Sequence, residues 1–289
     1  MTIKAPIKNY RLRKLSKKIK KLFFSEALQV YLLARKWNKK DLSPINSENN
    51  EIASHEDSLF SQNGEDGIIR YIFSQIGFES RYFVEFGFGA HQCNSLRLIL
   101  HENFKGLMMD GSEEQCRIFN LACKSKGISD VHAANAFINR DNLEHLIRSN
   151  NIPAQIDFLS IDVDGNDYWL WKSIEYINPK VCCFETHNVI PSDLSLTIPY
   201  DPSFNCWTSE NPDFRSVSLA AMVNLSKKKG YTLVGAHRHG FNVFFVRNDL
   251  LGDFLAECPV EIVHDNFYTQ YSQSVRWERV KHSPWEKIL

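Results

Sequence analysis

The sequence predicts an α/β protein built on a Rossmann-like, mostly parallel sheet with helices on both faces. From Phe60 onward, helical and strand-like runs alternate along the chain, which is the pattern of this class. The last two strand-like runs are separated by the short turn His237-Arg-His-Gly240, so we expect them to form an antiparallel hairpin. The predicted strands lie near residues 82–86, 106–110, 130–134, 156–162, 180–185, 231–236 and 241–246.

Length and composition indicate one large domain with an N-terminal appendage. The chain has 289 residues, and 43% of them are hydrophobic, enough for a substantial core. Residues 1–40 are predicted to form a basic amphipathic helix, 41–57 a linker, and 58–289 the main domain. The helix is indicated by an apolar stripe at helical spacing. This stripe comprises Leu12, Leu15, Ile19, Leu22 and Phe23.

Charge is distributed unevenly along the chain. Residues 1–24 contain nine Lys or Arg and no acid, whereas the whole chain has 34 basic and 34 acidic residues. The remainder therefore carries nine more acids than bases, which argues against nucleic acid as a partner. A basic amphipathic helix is suited to an anionic membrane surface or to a partner protein, which includes a second copy of the chain in a homo-oligomer. A solvated helix packed on the main domain is the alternative.

Cysteine use and hydropathy favour a cytoplasmic protein. The seven cysteines include no C-x-x-C pair, and Cys182 and Cys183 are adjacent in a predicted buried strand. Such a pattern suits reduced core thiols better than disulfides or a zinc site. No apolar run reaches the ~18 residues needed to cross a membrane. We therefore expect a cytoplasmic location, with the basic helix allowing contact with the inner face of the membrane.

The pattern of the first elements of the main domain predicts a ligand site. Ser61 or Asn63 is predicted to cap a helix that ends near Gln75. The next strand runs into a turn that contains Gly87 and Gly89, where the backbone can approach a ligand closely. This strand carries Glu85 near its end, and the following strand ends at Asp110. Strand, glycine turn, helix, strand and acid form the nucleotide-binding arrangement, in which the later acid binds ribose hydroxyls.

The glycine pattern distinguishes between classes of cofactor. A pyrophosphate cofactor favours G-x-G-x-x-G, but Gln92 occupies the third glycine position. The pattern therefore favours a cofactor with a ribose and no phosphate, such as S-adenosylmethionine.

Acidic residues also follow the next two strands. Asp162, Asp164 and Asp167 end the strand near 156–162, and Glu185 and His187 end the one near 180–185. Ligands of open parallel sheets bind outside the carboxyl ends of the strands, so these side chains are expected to face one crevice.

Several of these residues have the chemistry of a catalytic site. A carboxylate, a histidine or a divalent metal can take or acidify the proton of a hydroxyl acceptor. The catalytic candidates are Asp162, Asp164, Glu185 and His187, and His237 and His239 are less favoured candidates. Oxygen ligands from Asp162, Asp164 and Glu185 suit Mg or Mn.

Structural roles remain open for some of these candidates. Asp164 and Asp167 also fit a simple turn, and His187 also fits a buried, satisfied histidine. Residues 200–213, rich in Pro, Asn and aromatics, are predicted to form a lid, in which Phe204 and Trp207 can stack on a sugar ring.

Five segments in order resemble the FkbM-like S-adenosylmethionine-dependent methyltransferases, over about residues 58–248. They are Ser61-Gln-Asn-Gly-Glu-Asp66, Val84-Glu-Phe-Gly-Phe-Gly89, Leu159-Ser-Ile-Asp-Val-Asp-Gly-Asn-Asp-Tyr168, Phe184-Glu-Thr-His-Asn188 and Gly230-Tyr-Thr-Leu-Val-Gly235.

The resemblance implies a class I methyltransferase fold with a seven-stranded sheet and a set of cofactor contacts. Glu85, Gly87 and Gly89 would line the methionine end of the cofactor, Asp110 its ribose, and Asn135 and Ala136 its adenine. Gln62, Asn94, Ser95 and Asp162 complete the implied contact set.

The function expected from the resemblance is O-methylation of a sugar hydroxyl in a bacterial surface glycan or glycolipid. Two alternatives stay open. Ser160-Ile-Asp-Val-Asp-Gly165 also resembles the nucleophile strand of haloacid-dehalogenase-type phosphatases, with Asp162 as nucleophile and Asp164 as acid. The third hypothesis is a cofactor-binding, membrane-associated scaffold without catalysis.

Overall fold

The computed structural model describes residues 26–37, 51–208, 210–253 and 255–288. Within these ranges the predicted fold class is confirmed: a seven-stranded sheet has the order β3-β2-β1-β4-β5-β8-β7. β1 to β5 are parallel, and β8 pairs antiparallel with both β5 and β7. The strands of this sheet are β1 (Tyr82–Phe86), β2 (Lys105–Asp110), β3 (Val131–Asn135), β4 (Gln155–Ile161), β5 (Asn178–Glu185), β7 (Tyr231–Ala236) and β8 (Asn242–Arg247).

Helices connect the strands and cover both faces of the sheet. A separate two-stranded ribbon joins β6 (Leu196–Thr197) to β9 (Glu286–Lys287). Short 3-10 helices span Ile52–His55, Cys206–Thr208 and Asn248–Leu250, and a π-helical turn spans Gln273–Trp277. The α-helices are α1 (Glu26–Lys36), α2 (Glu65–Ile76), α3 (Leu96–Glu102), α4 (Glu113–Ser125), α5 (Leu143–Ser149), α6 (Asp167–Ser173), α7 (Leu219–Lys228), α8 (Val260–His264), α9 (Phe267–Ser272) and α10 (Glu278–Val280).

The core consists of two layers, one on each face of the sheet. Successive strand residues point to opposite faces, so Phe83 packs with α2, α3 and α4, whereas Val84 packs with α5, α6 and α7. Both residues are fully buried. Burial on both faces explains why the central strands are continuous apolar runs.

The start of α2 differs from the predicted cap. Its N-cap is Gly64, with φ at 95° and no side-chain cap bond, so neither Ser61 nor Asn63 caps the helix. The Ser61 hydroxyl instead accepts a bond from the backbone N–H of Asp66 at 3.2 Å. The backbone N–H of Asn63 donates to the Glu65 carboxylate at 2.8 Å. The Ser61 hydroxyl therefore satisfies one N–H of the first turn from outside the N-cap position, and Glu65 holds the preceding loop.

The described part of the N-terminal appendage packs on the main domain. Leu33 and Trp37 are buried, and the Trp37 ring meets Phe119 of α4 edge-on, with centroids 5.3 Å apart. Ile52, in the predicted linker, is also buried, against Gly235. Residues 1–25 and 38–40 of the predicted helix and residues 41–50 of the predicted linker lie outside the described residues, and the predicted domain boundaries remain predictions.

Within the described ranges, no helix combines the length and the apolar character needed to span a membrane.

Candidate functional site

A cleft of about 690 Å³ opens at the carboxyl ends of β1 to β4. This is the position at which open parallel sheets bind ligands. It joins the first glycine turn to the acidic turn after β4, as predicted from the strand ends. The cleft is lined by Gly87, Phe88, Gly89, Met109, Asp110, Gly111, Ser112, Ala136, Phe137, Ile138, Asp162, Val163, Asp164, Asn166, Phe204, Asn205, Cys206 and Trp207.

Gly87 sits where the ends of three strands converge. Its N–H donates to the backbone oxygen of Met109 at 2.9 Å, and the N–H of Asp162 donates to the backbone oxygen of Phe86 at 3.0 Å. Gly87 has φ at 72°, a conformation that favours glycine. The turn after β1 is therefore held between β2 and β4.

Glu85 stabilises the loop that follows this turn through hydrogen bonds to its backbone. It is 2% exposed, and its two carboxylate oxygens accept the backbone N–H groups of Asn94 and Ser95 at 2.9 and 2.8 Å. Burial raises the pKa of the Glu85 carboxyl. The structure therefore does not bring Glu85, Asn94 or Ser95 to the cleft wall, because these residues close the loop between β1 and α3.

Asp110 faces the cleft at the end of β2. One carboxylate oxygen accepts the N–H of Ser112 at 2.7 Å, and partial burial raises the pKa of the Asp110 carboxyl. Ala136 lines the same cleft, and its N–H donates to the backbone oxygen of Asp110 at 3.0 Å. The exposed Asn135 donates from Nδ2 to that oxygen at 3.1 Å. These contacts place the predicted ribose and adenine residues side by side.

Three carboxylates meet at the floor of the cleft: Asp162 and Asp164 line it, and Glu185 adjoins them without lining it. Oxygens of Asp162, Asp164 and Glu185 all lie within 4.8 Å of one another. Burial, and next the neighbouring Glu185, raise the pKa of the Asp162 carboxyl well above its usual range. Burial and the charge of Asp164 raise the pKa of Glu185 to about 8. Glu185 Oε2 is buried without a hydrogen-bond partner among the described residues, so the cluster has unused acceptor capacity.

Arg215 is a site residue that the sequence analysis missed. Its guanidinium donates to Asp164 Oδ1 at 2.5 Å and lies 3.9 Å from Cys206 Sγ. Asp164 itself has a left-handed backbone, with φ at 54°, which is strained for a residue other than glycine. Arg215 lies 51 residues from Asp164 along the chain, so no local motif could have identified this pair.

Asp167 has a structural role in the turn after β4, which was one of the two interpretations that its sequence allowed. Its carboxylate accepts the N–H groups of Val163 and Gly165, each at 2.9 Å, and the Ser216 hydroxyl at 3.0 Å. Burial raises the pKa of Asp167 to about 6. This residue holds the Asp162–Asn166 turn in shape.

His187 is buried away from the cleft wall, at 4% exposure. Its Nε2 lies 2.8 Å from the backbone oxygen of Asp213, to which a neutral ring donates its N–H. Burial lowers the pKa of His187 to about 3. A histidine with these properties is a poor proton acceptor from a ligand, so the structure does not support the predicted role as general base.

Two further predicted residues lie in a separate cavity. Gln62 and His239 line it together with Glu56, Asn63 and Arg238. Gln62 is thus separated from the cleft, because the turn before α2 faces the hairpin between β7 and β8. The buried His237 lies in the same hairpin turn.

An aromatic loop, residues 204–207, covers one side of the cleft. Phe204 packs so closely on Gly165 that a Cβ there would lie 2.4 Å from its ring. Asn166 donates from Nδ2 to the backbone oxygen of Asp201 at 2.8 Å, while its buried Oδ1 has no partner within the described ranges. Trp207 is 80% exposed and Phe137 is 54% exposed. The cleft therefore has aromatic rings at its mouth and a free amide oxygen inside.

Comparison of the sequence with protein-family models gives no match, and comparison with curated proteins gives none either. Several solved structures align with the chain. The N-terminal domain of EvdMO1 with SAH bound shows 16% identity and a TM-score of 0.45, covering 65% of this chain and 82% of that one. An O-methyltransferase from Bacillus cereus in complex with SAH shows 16% identity and a TM-score of 0.40, covering 71% and 91%. At this level of similarity the alignments carry no argument about the function of this chain.

Proposed function

We propose that the protein is an S-adenosylmethionine-dependent O-methyltransferase. The observation that carries this proposal is the continuity of the cleft: one cavity is lined by Gly87, Asp110 and Ala136 at one end and by Asp162 and Asp164 at the other. The first end offers backbone approach and a carboxylate for ribose hydroxyls. The second end offers carboxylates for the acceptor. Donor and acceptor can therefore be held next to each other, which supplies proximity and orientation.

The proposed reaction moves a methyl group from a sulfonium to a hydroxyl oxygen. The acceptor oxygen attacks the methyl carbon, an O–C bond forms, and the S–C bond breaks with its electron pair passing to sulfur. The acceptor proton passes to a member of the Asp162–Glu185 pair in its ionised form, which is increasingly populated as pH rises towards the raised pKa of Glu185, about 8. A half-buried carboxylate with an unused, buried oxygen is suited to this role because that oxygen is poorly solvated.

The same carboxylates fit a divalent metal. Their oxygens converge within 4.8 Å, and hard oxygen donors suit Mg or Mn. Asp162, Asp164 and Glu185 would hold the ion, with Arg215 leaving Asp164. A bound ion would supply Lewis-acid polarisation of the acceptor hydroxyl.

The acceptor we propose is a sugar hydroxyl in a bacterial surface glycan or glycolipid. Trp207 and Phe137 present exposed rings at the cleft mouth, and aromatic rings can pack on the apolar face of a sugar. The unpartnered Oδ1 of Asn166 offers an acceptor for a sugar hydroxyl. Together these features support a ring-shaped, hydroxyl-rich acceptor.

The phosphatase alternative is less well supported by the site. Such an enzyme carries its nucleophile on the first strand of the domain, whereas β1 here leads into the Gly87 turn and Asp162 follows β4. The scaffold alternative has the same cofactor site but no turnover. A measurement of methyl transfer therefore distinguishes it from the proposed enzyme.

Calorimetry of the full chain with S-adenosylmethionine and S-adenosylhomocysteine tests the proposal. We expect both to bind, and we expect methyl-labelled S-adenosylmethionine to transfer its label to members of a panel of methyl glycosides. Absence of binding at millimolar cofactor rejects the proposal. Binding without transfer to any acceptor supports the scaffold, and hydrolysis of p-nitrophenyl phosphate with Mg but no cofactor binding supports the phosphatase.

A further inference from the structure

An apolar groove lies between α1 and α4, remote from the acidic floor of the cleft. Val30, Tyr31, Ala34 and Leu121 line it, with Arg35, Lys126 and Glu26 at its rim. Tyr31 is 60% exposed and the adjacent Leu32 is 46% exposed. Leu33 and Trp37, both buried, pack the opposite face of α1 against the main domain. The helix therefore presents an aromatic and an aliphatic side chain on a rigid support.

Charge around this groove is predominantly positive. Glu26, the acid at the rim, is paired with Arg117, so its charge is offset. Residues 1–24, which precede α1 directly in the chain, carry nine Lys or Arg and no acid. Exposed Tyr and Leu beside cations are the composition of elements that lie in the headgroup region of a bilayer.

A second exposed aromatic patch shows that exposure alone does not select this face. Phe267 and Tyr271 of α9 are 82% and 58% exposed and stack with ring centroids 6.0 Å apart. The nearest exposed charges in sequence are Glu261 and Asp265, and the cation Arg276 is paired with Asp213. An anionic surface would be repelled there and attracted to α1.

We propose that the face formed by Tyr31, Leu32 and the groove beside them docks on an anionic lipid bilayer. This interaction goes beyond the proposed methyl transfer and does not depend on it. Apolar side chains would enter the headgroup region while the cations meet lipid phosphates, so binding is expected to weaken as salt screens the charges.

The docking face is joined to the cleft through α1. Lys36 donates to the backbone oxygen of His91, in the loop after β1. Trp37 contacts Phe119, and Phe119 contacts Phe88 with centroids 5.3 Å apart. Because Phe88 lines the cleft, a bilayer bound at α1 would hold the cleft close to the membrane surface, where a lipid-linked acceptor would be presented.

Co-sedimentation of the full chain with vesicles tests this proposal. We expect binding to phosphatidylglycerol vesicles at low salt, loss of that binding at high salt, and little binding to phosphatidylcholine vesicles. The double variant Tyr31→Ser/Leu32→Ser is expected to bind roughly tenfold more weakly, since it removes apolar burial. The matched control Phe267→Ser/Tyr271→Ser changes two comparably exposed residues and is expected to bind like the wild type.

Three results would overturn the proposal. The first is a wild-type chain that does not bind phosphatidylglycerol vesicles at low salt. The second is an α1 double variant that binds them as the wild type does. The third is a wild-type oligomer, measured by light scattering without lipid, that the α1 double variant converts to monomer, since a second copy would then cover this face. Both variants alter exposed residues, and circular dichroism establishes that each is folded.

Discussion

A Cβ atom added to Gly87 would lie 1.6 Å from the backbone oxygen of Asp162. The glycine turn after β1 and the acidic turn after β4, which line opposite ends of the cleft, are thus in backbone contact. Any side chain at position 87 would push β1 and β4 apart at their carboxyl ends. This contact makes the two halves of the cleft structurally dependent on each other.

Gly87→Ala is expected to destabilise the protein by about 3 kcal/mol or more, because it adds a backbone clash to a left-handed conformation. Urea unfolding measures the loss. Gly89→Ala is the matched control: its Cβ would lie 3.3 Å from the backbone oxygen of Gln92, and a loss of about 1 kcal/mol or less is expected. Equal losses in both variants would show that the β1–β4 contact is not the cause.

Asp110→Asn is expected to weaken S-adenosylhomocysteine binding by about 1 to 3 kcal/mol, since a charged hydrogen-bond acceptor is lost. The Asn side chain keeps an oxygen for the N–H of Ser112, so the fold should be retained. Asp130→Asn is the control, because Asp130 is 60% exposed and paired with Lys105 on the surface. Calorimetry measures the affinity of both variants for S-adenosylhomocysteine. An unchanged affinity in Asp110→Asn would show that Asp110 does not contact the cofactor.

Glu185→Gln is expected to lower methyl transfer by about a hundredfold while making the protein more stable near pH 8. Burial raises the folded-state pKa of Glu185 to about 8 from 4.5, so the wild type loses stability as pH rises through this range. Glutamine does not ionise and avoids the loss. The difference in unfolding free energy between variant and wild type should therefore grow from pH 5 to pH 8.

A surface change serves as the control for this prediction. Glu257 is 57% exposed and pairs with Lys227, so Glu257→Gln should leave the pH profile unchanged. A Glu185→Gln variant that is less stable than the wild type at pH 8 would mean that the protein stabilises this carboxylate, contrary to the unpartnered oxygen at the cleft floor.

Trp207→Ala is expected to raise the KM for a glycoside acceptor by roughly tenfold, through the lost stacking surface, with thermal stability unchanged. Because Trp207 is 80% exposed, its removal leaves no cavity. Phe267→Ala, at a residue 82% exposed on α9, is the control and should leave the KM unchanged. Steady-state transfer of labelled methyl measures both, and an unaltered KM in Trp207→Ala would argue against stacking.

His264→Phe is expected to make the protein less sensitive to acid. Burial lowers the folded-state pKa of His264 to about 4 from 6.5. As pH falls below 6.5, the unfolded chain binds a proton that the folded protein does not accept until about pH 4, so stability is lost across this window. The part due to His264 is about 3 kcal/mol, and it should vanish in the variant.

The His264 ring has few polar contacts that the substitution would remove. His264 Nε2 is buried without a partner in the described part of the chain, and its Nδ1 accepts one of three bonds made by Gln273, which also donates to the backbone oxygens of Asn188 and Ile190. Unfolding at pH 7 should give similar stability for both proteins. Identical acid profiles would show that His264 titrates normally.

Local sequence determined the sheet and the positions of several cleft residues. Each strand is an apolar run bounded by turn residues, and its period and length are local properties of the chain. Parallel strands place their carboxyl ends at one edge of the sheet. The residues that follow these strands are therefore expected to lie close together, and this can be predicted from the sequence alone. Gly87, Asp110, Asp162 and Asp164 were predicted in this way, and all line the cleft. Ala136, which only the family resemblance implied, lines it too.

Only the tertiary structure decided what each polar side chain contacts. Arg215 reaches Asp164 across 51 residues, Glu85 turns back to the loop before α3, and His187 binds the backbone at Asp213. Sequence places these residues near the carboxyl edge, but the direction of a side chain depends on which loops pack above it. Burial and neighbouring charge, which set the pKa values of Glu185 and His187, arise when distant segments assemble.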